Sequence, residues 1–410
     1  MASIRHQGFS PERLHRIDRF LAERYVDAGR IPCAQVQILR RGELVHETVL
    51  GQADRERGVA LTRDAVYRIY SMTKPITSIA FMMLVEEGLV ALDDPVTRFI
   101  PEWKDIGVYA AGIGPFVTTP PSRPMLMVDL LRHTSGLTYG FQMRTNVDAA
   151  YRKLKVADRD RSLTVAQFVD ELSRLPLEFS PGDAWNYSIS TDVLGVLIER
   201  IAGMPFQDFL KARIFDPLGM NETRFIVGEE QRARFAACYL PTPEGGLKLL
   251  DDPQTSPFLQ APTFHSGGGG LVSTADDYMR FCRVLLGQGE FNGHRLVSPA
   301  TLRLMTANHL PGGKDLTALS RSLFSESTNA GVGFGLGFAT VFDPVAALMP
   351  SSPGEYYWGG AASTAFWIDP VEDIAVVFMT QLLGSSTYPI RRELRTLVYS
   401  ALIEPNAPRY

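Results

Sequence analysis

Residues 71 to 84 read Ser-Met-Thr-Lys-Pro-Ile-Thr-Ser-Ile-Ala-Phe-Met-Met-Leu, and few stretches restrict the fold of this 410-residue chain as tightly. The run from Ile76 to Leu84 is apolar on nearly every side, which suits a helix only where protein surrounds it. Polar groups at its amino end are usable only if a cleft opens there. Ser71 and Lys74 stand at that end, three apart and on one helix face, so the amine reaches the hydroxyl without help from elsewhere. Desolvation at such a place favours the neutral amine, the form that accepts a proton. Ser71 as a plain helix cap with Lys74 solvated is the structural alternative. The helix dipole opposes a cation in the first turn, and the neighbours are apolar. Of seven lysines among 41 Lys+Arg, Lys74 alone has a serine three positions before it.

The ends of the chain carry strand patterns around this helix. Residues 10 to 29 read as a helix capped by Ser10, with Pro11 in its first turn and Gly29 as its stop. Ala34 to Leu39 alternates, turns at Arg41-Gly42 and resumes at Leu44-Val45, a hairpin signature. Near the other end, Thr364–Asp369 and Ile374–Met379 flank the turn Pro370-Val371-Glu372-Asp373, and an amphipathic helix follows from about Tyr388 to Ile403. Helical signals dominate from Ser71 to about Glu199, broken by proline-rich loops. The pattern predicts an α/β (α+β) architecture: one antiparallel sheet built from both chain ends and flanked by the N- and C-terminal helices. Residues 1–70 with 265–410 form this sheet lobe, 71–264 an inserted, mainly helical lobe, and the active site lies in the cleft between them. Gly331 to Gly337 is glycine-rich but alternates, and reads as a strand near the cleft.

Two further segments carry chemistry. Tyr187, in Trp185-Asn186-Tyr187-Ser188-Ile189, precedes a helix from Thr191 to Ile201 and is a candidate proton shuttle for a serine beside a lysine. In Tyr356-Tyr357-Trp358-Gly359-Gly360-Ala361, paired glycines in a strand pattern mark the close approach of a backbone or a ligand, and Trp358 would wall a pocket.

In this order, Ser71-x-x-Lys74, Tyr187-Ser188 and Trp358-Gly359-Gly360 resemble the family VIII carboxylesterases, which share the two-lobed fold of class C β-lactamases and D,D-peptidases. Leu92-Asp93-Asp94-Pro95-Val96, Leu130 to Leu137 and Gly268 to Asp277 match that superfamily as well, so the resemblance spans residues 10 to 400. It implies Ser71 as the acylated nucleophile, with Lys74 and Tyr187 sharing the base and acid roles. It also implies an oxyanion hole formed by the N–H groups of Ser71 and Ala361. His133 is placed by the resemblance in a structural segment rather than in a triad. Penicillin-recognising relatives carry an asparagine where this chain has Ile189 and a cation where it has Trp358. The expected substrate pocket, formed by Trp358, Gly359, Gly360 and Ile189, therefore favours a neutral, hydrophobic ester.

The rest of the sequence narrows the alternatives. A net charge of -4 with 21% charged residues leaves no basic footprint for nucleic acid and no cluster for an anionic membrane. Three widely spaced cysteines suit a reducing compartment, and the N-terminus lacks a signal-peptide pattern, so a cytoplasmic location is expected. No Gly-x-Ser-x-Gly, His-Glu-x-x-His or phosphate-binding loop is present, and no cofactor or metal is expected. The reading is a serine esterase for short- to medium-chain esters that passes through an acyl-enzyme. Acyl transfer to an alcohol, β-lactam or D-peptide hydrolysis on the same machinery, and a silent binding protein of the same fold are the alternatives. The loops 106–124, 139–163 and 241–264 are expected to shape the pocket.

Overall fold

The computed structural model describes residues 6–156, 163–321 and 329–406. Its centre is an eight-stranded sheet in which every neighbouring pair is antiparallel. The order is Val332–Phe334, Ala339–Val341, Tyr356–Gly359, Ala365–Asp369, Ile374–Met379, Cys33–Arg40, Glu43–Asp54, Val59–Ala60. Strands from the two chain ends therefore meet in mid-sheet, where Gln35 pairs with Met379 and Arg40 with Ile374.

The two-residue period of a strand sorts side chains onto two faces. Ile374, Val376 and Phe378 join Ala34, Val36 and Ile38 under the terminal helices, where Leu14, Ile17, Leu394 and Val398 cover them. Ala375, Val377 and Met379 point the other way into the larger core. The first helix runs Pro11–Leu21, its Ser10 hydroxyl accepting from the Arg13 N–H, and continues as a π-helical turn to Val26. It packs on the last helix, Ile390–Ala401.

On the opposite face lie the helix Ala275–Leu286 and, deeper, Thr73–Glu86. Every residue from Thr73 to Leu84 is buried, as the apolar run requires. Ser190–Ala202 packs on it, and the glycine run threads past both helices. A Cβ on Gly267 would lie 2.5 Å from Thr191 O and 3.1 Å from Thr77 Cγ2, so only glycine passes there. Three hydrogen bonds fix the amino end of Thr73–Glu86: Thr77 Oγ1 to Gly267 O (2.8 Å), Leu271 N to Thr73 Oγ1 (3.2 Å) and Tyr278 OH to Met72 O (2.9 Å).

Residues 106–124 differ from expectation. They fold into a small hairpin, Val108–Ala111 with Val117–Thr119, pinned to Leu177, and contribute nothing to the wall of the main cavity. The other two loops supply Tyr139, Phe141 and Phe258 to it. Residues 157–162 of the loop 139–163 lie outside the described residues.

Candidate active site

Ser71 occupies a one-turn 3-10 helix, Tyr70–Met72, that runs directly into Thr73–Glu86. Its hydroxyl caps nothing, which removes the plain-cap alternative. Tyr70 just before it takes a left-handed φ of 41°, an unusual backbone for a bulky residue and of the kind held where neighbouring structure demands it.

The Ser71 oxygen lies 2.7 Å from the Tyr187 hydroxyl and 3.4 Å from Lys74 Nζ. Lys74 is 2% exposed, and its Nζ also donates to Gly268 O (2.6 Å) and Tyr139 OH (2.9 Å). Both tyrosine rings lie close to it, the Tyr187 centroid at 4.7 Å and the Tyr139 centroid at 5.2 Å. Tyr187 is itself boxed by aromatic rings: His133 at 5.1 Å, Trp358 and Tyr139 at 5.4 Å, and Trp185 stacked at 6.2 Å. Such a box leaves the phenol few rotamers, so its oxygen stays on Ser71.

A carboxylate stands one step further back. Asp192, in the first turn of Ser190–Ala202, accepts from Ser266 Oγ (2.5 Å), Gly268 N (3.0 Å) and, more loosely, Tyr139 OH (3.4 Å). Burial, with the negative charge of Asp192 second, holds the Tyr139 phenol well above its ordinary pKa, so it stays protonated. The chain Lys74 to Tyr139 to Asp192 is thus a run of donors ending on a carboxylate. The sequence reading missed Tyr139, Asp192, Gly268 and Ser266. A signal for Tyr139 existed, two residues beyond the stretch Leu130 to Leu137.

His133 is fully buried, bonded through Nδ1 to Ser188 Oγ (3.2 Å), and burial followed by the Lys74 charge pushes its pKa well down. It makes no hydrogen bond to Ser71 among the described residues. Trp358, Gly359, Gly360 and Ala361 line a cavity of about 530 Å³ together with Ser71 and Tyr187. Phe141, Phe258, Phe264 and Leu383 add apolar wall, and Asp192, Arg391, Arg392 and Arg395 line the cavity as well. Ile189 is a correction. It is 0% exposed, precedes the helix Ser190–Ala202 as its cap residue, and packs into the core instead of lining the cavity. The Ser71 N–H, in the first turn of its helix, is of the class of donor that lacks an intrahelical partner. The Ala361 N–H donates in none of the turn and loop hydrogen bonds among the described residues.

Comparison with known proteins bears on this geometry. A family model described as Beta-lactamase matches residues 19–400. Protein Rv1367c of Mycobacterium tuberculosis is 36% identical over 359 residues, covering 87% of each chain. Esterase EstB of Burkholderia gladioli is 30% identical over 402 residues, covering 93% of each. Among solved structures, a protein described as "EstCE1, a hydrolase with promiscuous acyltransferase activity" superposes with a TM-score of 0.79 at 28% identity, covering 95% of this chain and 98% of its own.

Proposed function

This chain belongs to the Beta-lactamase family, and from that premise we propose that it is a serine carboxylesterase of the family VIII type, acting on neutral short- to medium-chain esters. The observation that carries the reading is the 2.7 Å contact of Tyr187 with a serine hydroxyl that also meets a buried lysine. The similarity to Esterase EstB supports it.

In the proposed reaction, Tyr187 and Lys74 act together as the pair that takes up and returns one proton. Ser71 Oγ attacks the ester carbonyl and its proton enters this pair. The carbonyl oxygen becomes an oxyanion facing the N–H groups of Ser71 and Ala361. As the C–O bond breaks, the pair returns the proton to the departing alkoxide, which leaves as the alcohol with the acyl group on Ser71. A water then repeats the sequence: its proton goes to the pair, its oxygen bonds to the acyl carbon, and the proton returns to Ser71 as the carboxylic acid leaves.

The preference for neutral, apolar esters rests on Trp358 and the aromatic wall. Ile189 no longer supports it. An alcohol in place of water would give acyl transfer, a second reading favoured by the apolar wall and by the description of EstCE1. We place the protein in the cytoplasm, because Cys33, Cys238 and Cys282 are buried and form no disulfide among the described residues, as suits a reducing compartment. Among the described residues no helix is long and apolar enough to cross a membrane.

The test is hydrolysis of p-nitrophenyl esters from acetate to decanoate by wild type and Ser71→Ala. Turnover that falls to background in the variant, with an optimum at short or middle lengths, is expected. Equal turnover by the variant contradicts the reading. Added methanol or butanol that yields new esters at the expense of acid marks the transferase route.

A further inference from the structure

We infer that Arg391, on the C-terminal helix, is a positioning residue for the oxyanion hole, holding and polarising the Gly360–Ala361 peptide. The inference rests on the esterase reading, in which the Ala361 N–H receives the oxyanion.

Arg391 Nη2 donates to Gly360 O at 2.6 Å and to Thr364 O at 2.7 Å. The Gly360 carbonyl and the Ala361 N–H belong to one peptide group. In a trans peptide they point in opposite directions, and the described residues' sole cis bond is Gly114-Pro115. With the carbonyl drawn to the guanidinium, the N–H is turned away from the helix that carries Arg391. A hydrogen bond from a charged donor is about twice as strong as a neutral one, and it polarises the next bond along the chain. The Ala361 N–H thereby becomes a better donor to a developing negative charge.

The same turn is fixed on every other side. Gly360 O also accepts from Ser363 N (3.1 Å), Gly360 N donates to Thr364 O (2.9 Å), and Gly384 N donates to Ala361 O (3.0 Å). The two glycines of Trp358-Gly359-Gly360 then have separate reasons. A Cβ on Gly359 would lie 2.7 Å from Arg391 Cζ and Nη2, so this glycine admits the guanidinium. A Cβ on Gly360 would lie 2.5 Å from Ile69 O, so this one seats the turn against the backbone two residues before Ser71. The helix that closes one face of the sheet thus reaches through the strand end to the catalytic turn.

Gly360-Ala361 is the only Gly-Ala dipeptide in the chain. A protein carrying 13C-carbonyl glycine and 15N alanine therefore gives one amide-to-carbonyl resonance, that of this peptide. In Arg391→Met the carbonyl resonance is expected to move upfield. kcat/KM for p-nitrophenyl butyrate is expected to fall about tenfold, less than the 10²–10³ that follows deletion of an oxyanion donor. Affinity for an alkyl trifluoromethyl ketone, whose adduct places an oxyanion in the hole, falls by the same factor, while KM changes little. Arg391→Lys, which keeps one charged donor, recovers part of the loss and serves in its place if the methionine variant does not fold. An unmoved resonance overturns the inference, and so does a moved one with kcat/KM and ketone affinity unchanged. If a fluorophosphonate fails to label wild-type Ser71, the esterase reading fails instead. The resonance then upholds or overturns the polarised peptide on its own.

Discussion

The oxygen of Ser71 meets both the Tyr187 hydroxyl and Lys74 Nζ, and the two contacts are unequal. Tyr187 is in full hydrogen-bond contact at 2.7 Å, whereas Lys74 stands at 3.4 Å and spends its shorter bonds on Gly268 O and Tyr139. In the proposed reaction the proton leaves Ser71 through the pair that holds this short contact, so Tyr187 is expected to weigh more than Tyr139 despite their similar surroundings. Tyr187→Phe is expected to lower kcat/KM by about 10²–10⁴-fold, the range for losing a general acid–base group. Tyr139→Phe, which only loosens the seat of Lys74, is expected to cost less. Steady-state rates on one p-nitrophenyl ester decide this, and a larger loss in the Tyr139 variant would reverse the two roles.

At the scale of elements, the sheet and its C-terminal helix are joined by a buried polar cluster. Glu355 pairs with Arg395 Nε at 2.9 Å and accepts from Tyr399 OH, which also donates to Asp369. Burial outweighs the guanidinium and, with Asp369 adding repulsion, raises the Glu355 carboxyl to about 7. The sign follows from proton counting. Between the unfolded carboxylate range near 4.3 and a folded pKa of about 7, the native state binds more protons than the unfolded one, so stability falls as pH rises through that window. The slope is at most about 1.4 kcal/mol per pH unit. Glu178, also raised to about 7 mainly by burial, adds a second slope of the same sign. Urea denaturation from pH 5 to 7.5 is expected to show a smaller decline in Glu355→Gln than in wild type. An identical decline would place the Glu355 carboxyl elsewhere.

Across the whole molecule, the parts legible in the sequence are those whose signal is local. Alternation in residues 374–379 and 34–39 follows from the strand period, and both segments lie adjacent in the sheet. The apolar helix after Ser71 carries its reason in neighbouring residues, whereas the glycine pair after Trp358 shows only as a pattern, its reasons being the distant Arg391 and Ile69 carbonyl. Ile189 was not legible in the same way. A residue just before a helix can face the cavity or the core, and the spacing from Tyr187 does not choose between them. Tyr139 and Gly268 reach Lys74 from 65 and 194 residues away. Single residues in loops acquire that meaning only when the two helices and the glycine run pack together.

The proposed reaction requires a covalent acyl group on Ser71. Rapid acid quench of wild type during turnover of a p-nitrophenyl ester, followed by peptide mass spectrometry, tests it most directly. The peptide containing Ser71 is expected to carry the mass of the acyl group, with no such adduct in Ser71→Ala. An acyl group found on another residue, or full turnover with Ser71 unmodified at every quench time, would contradict it.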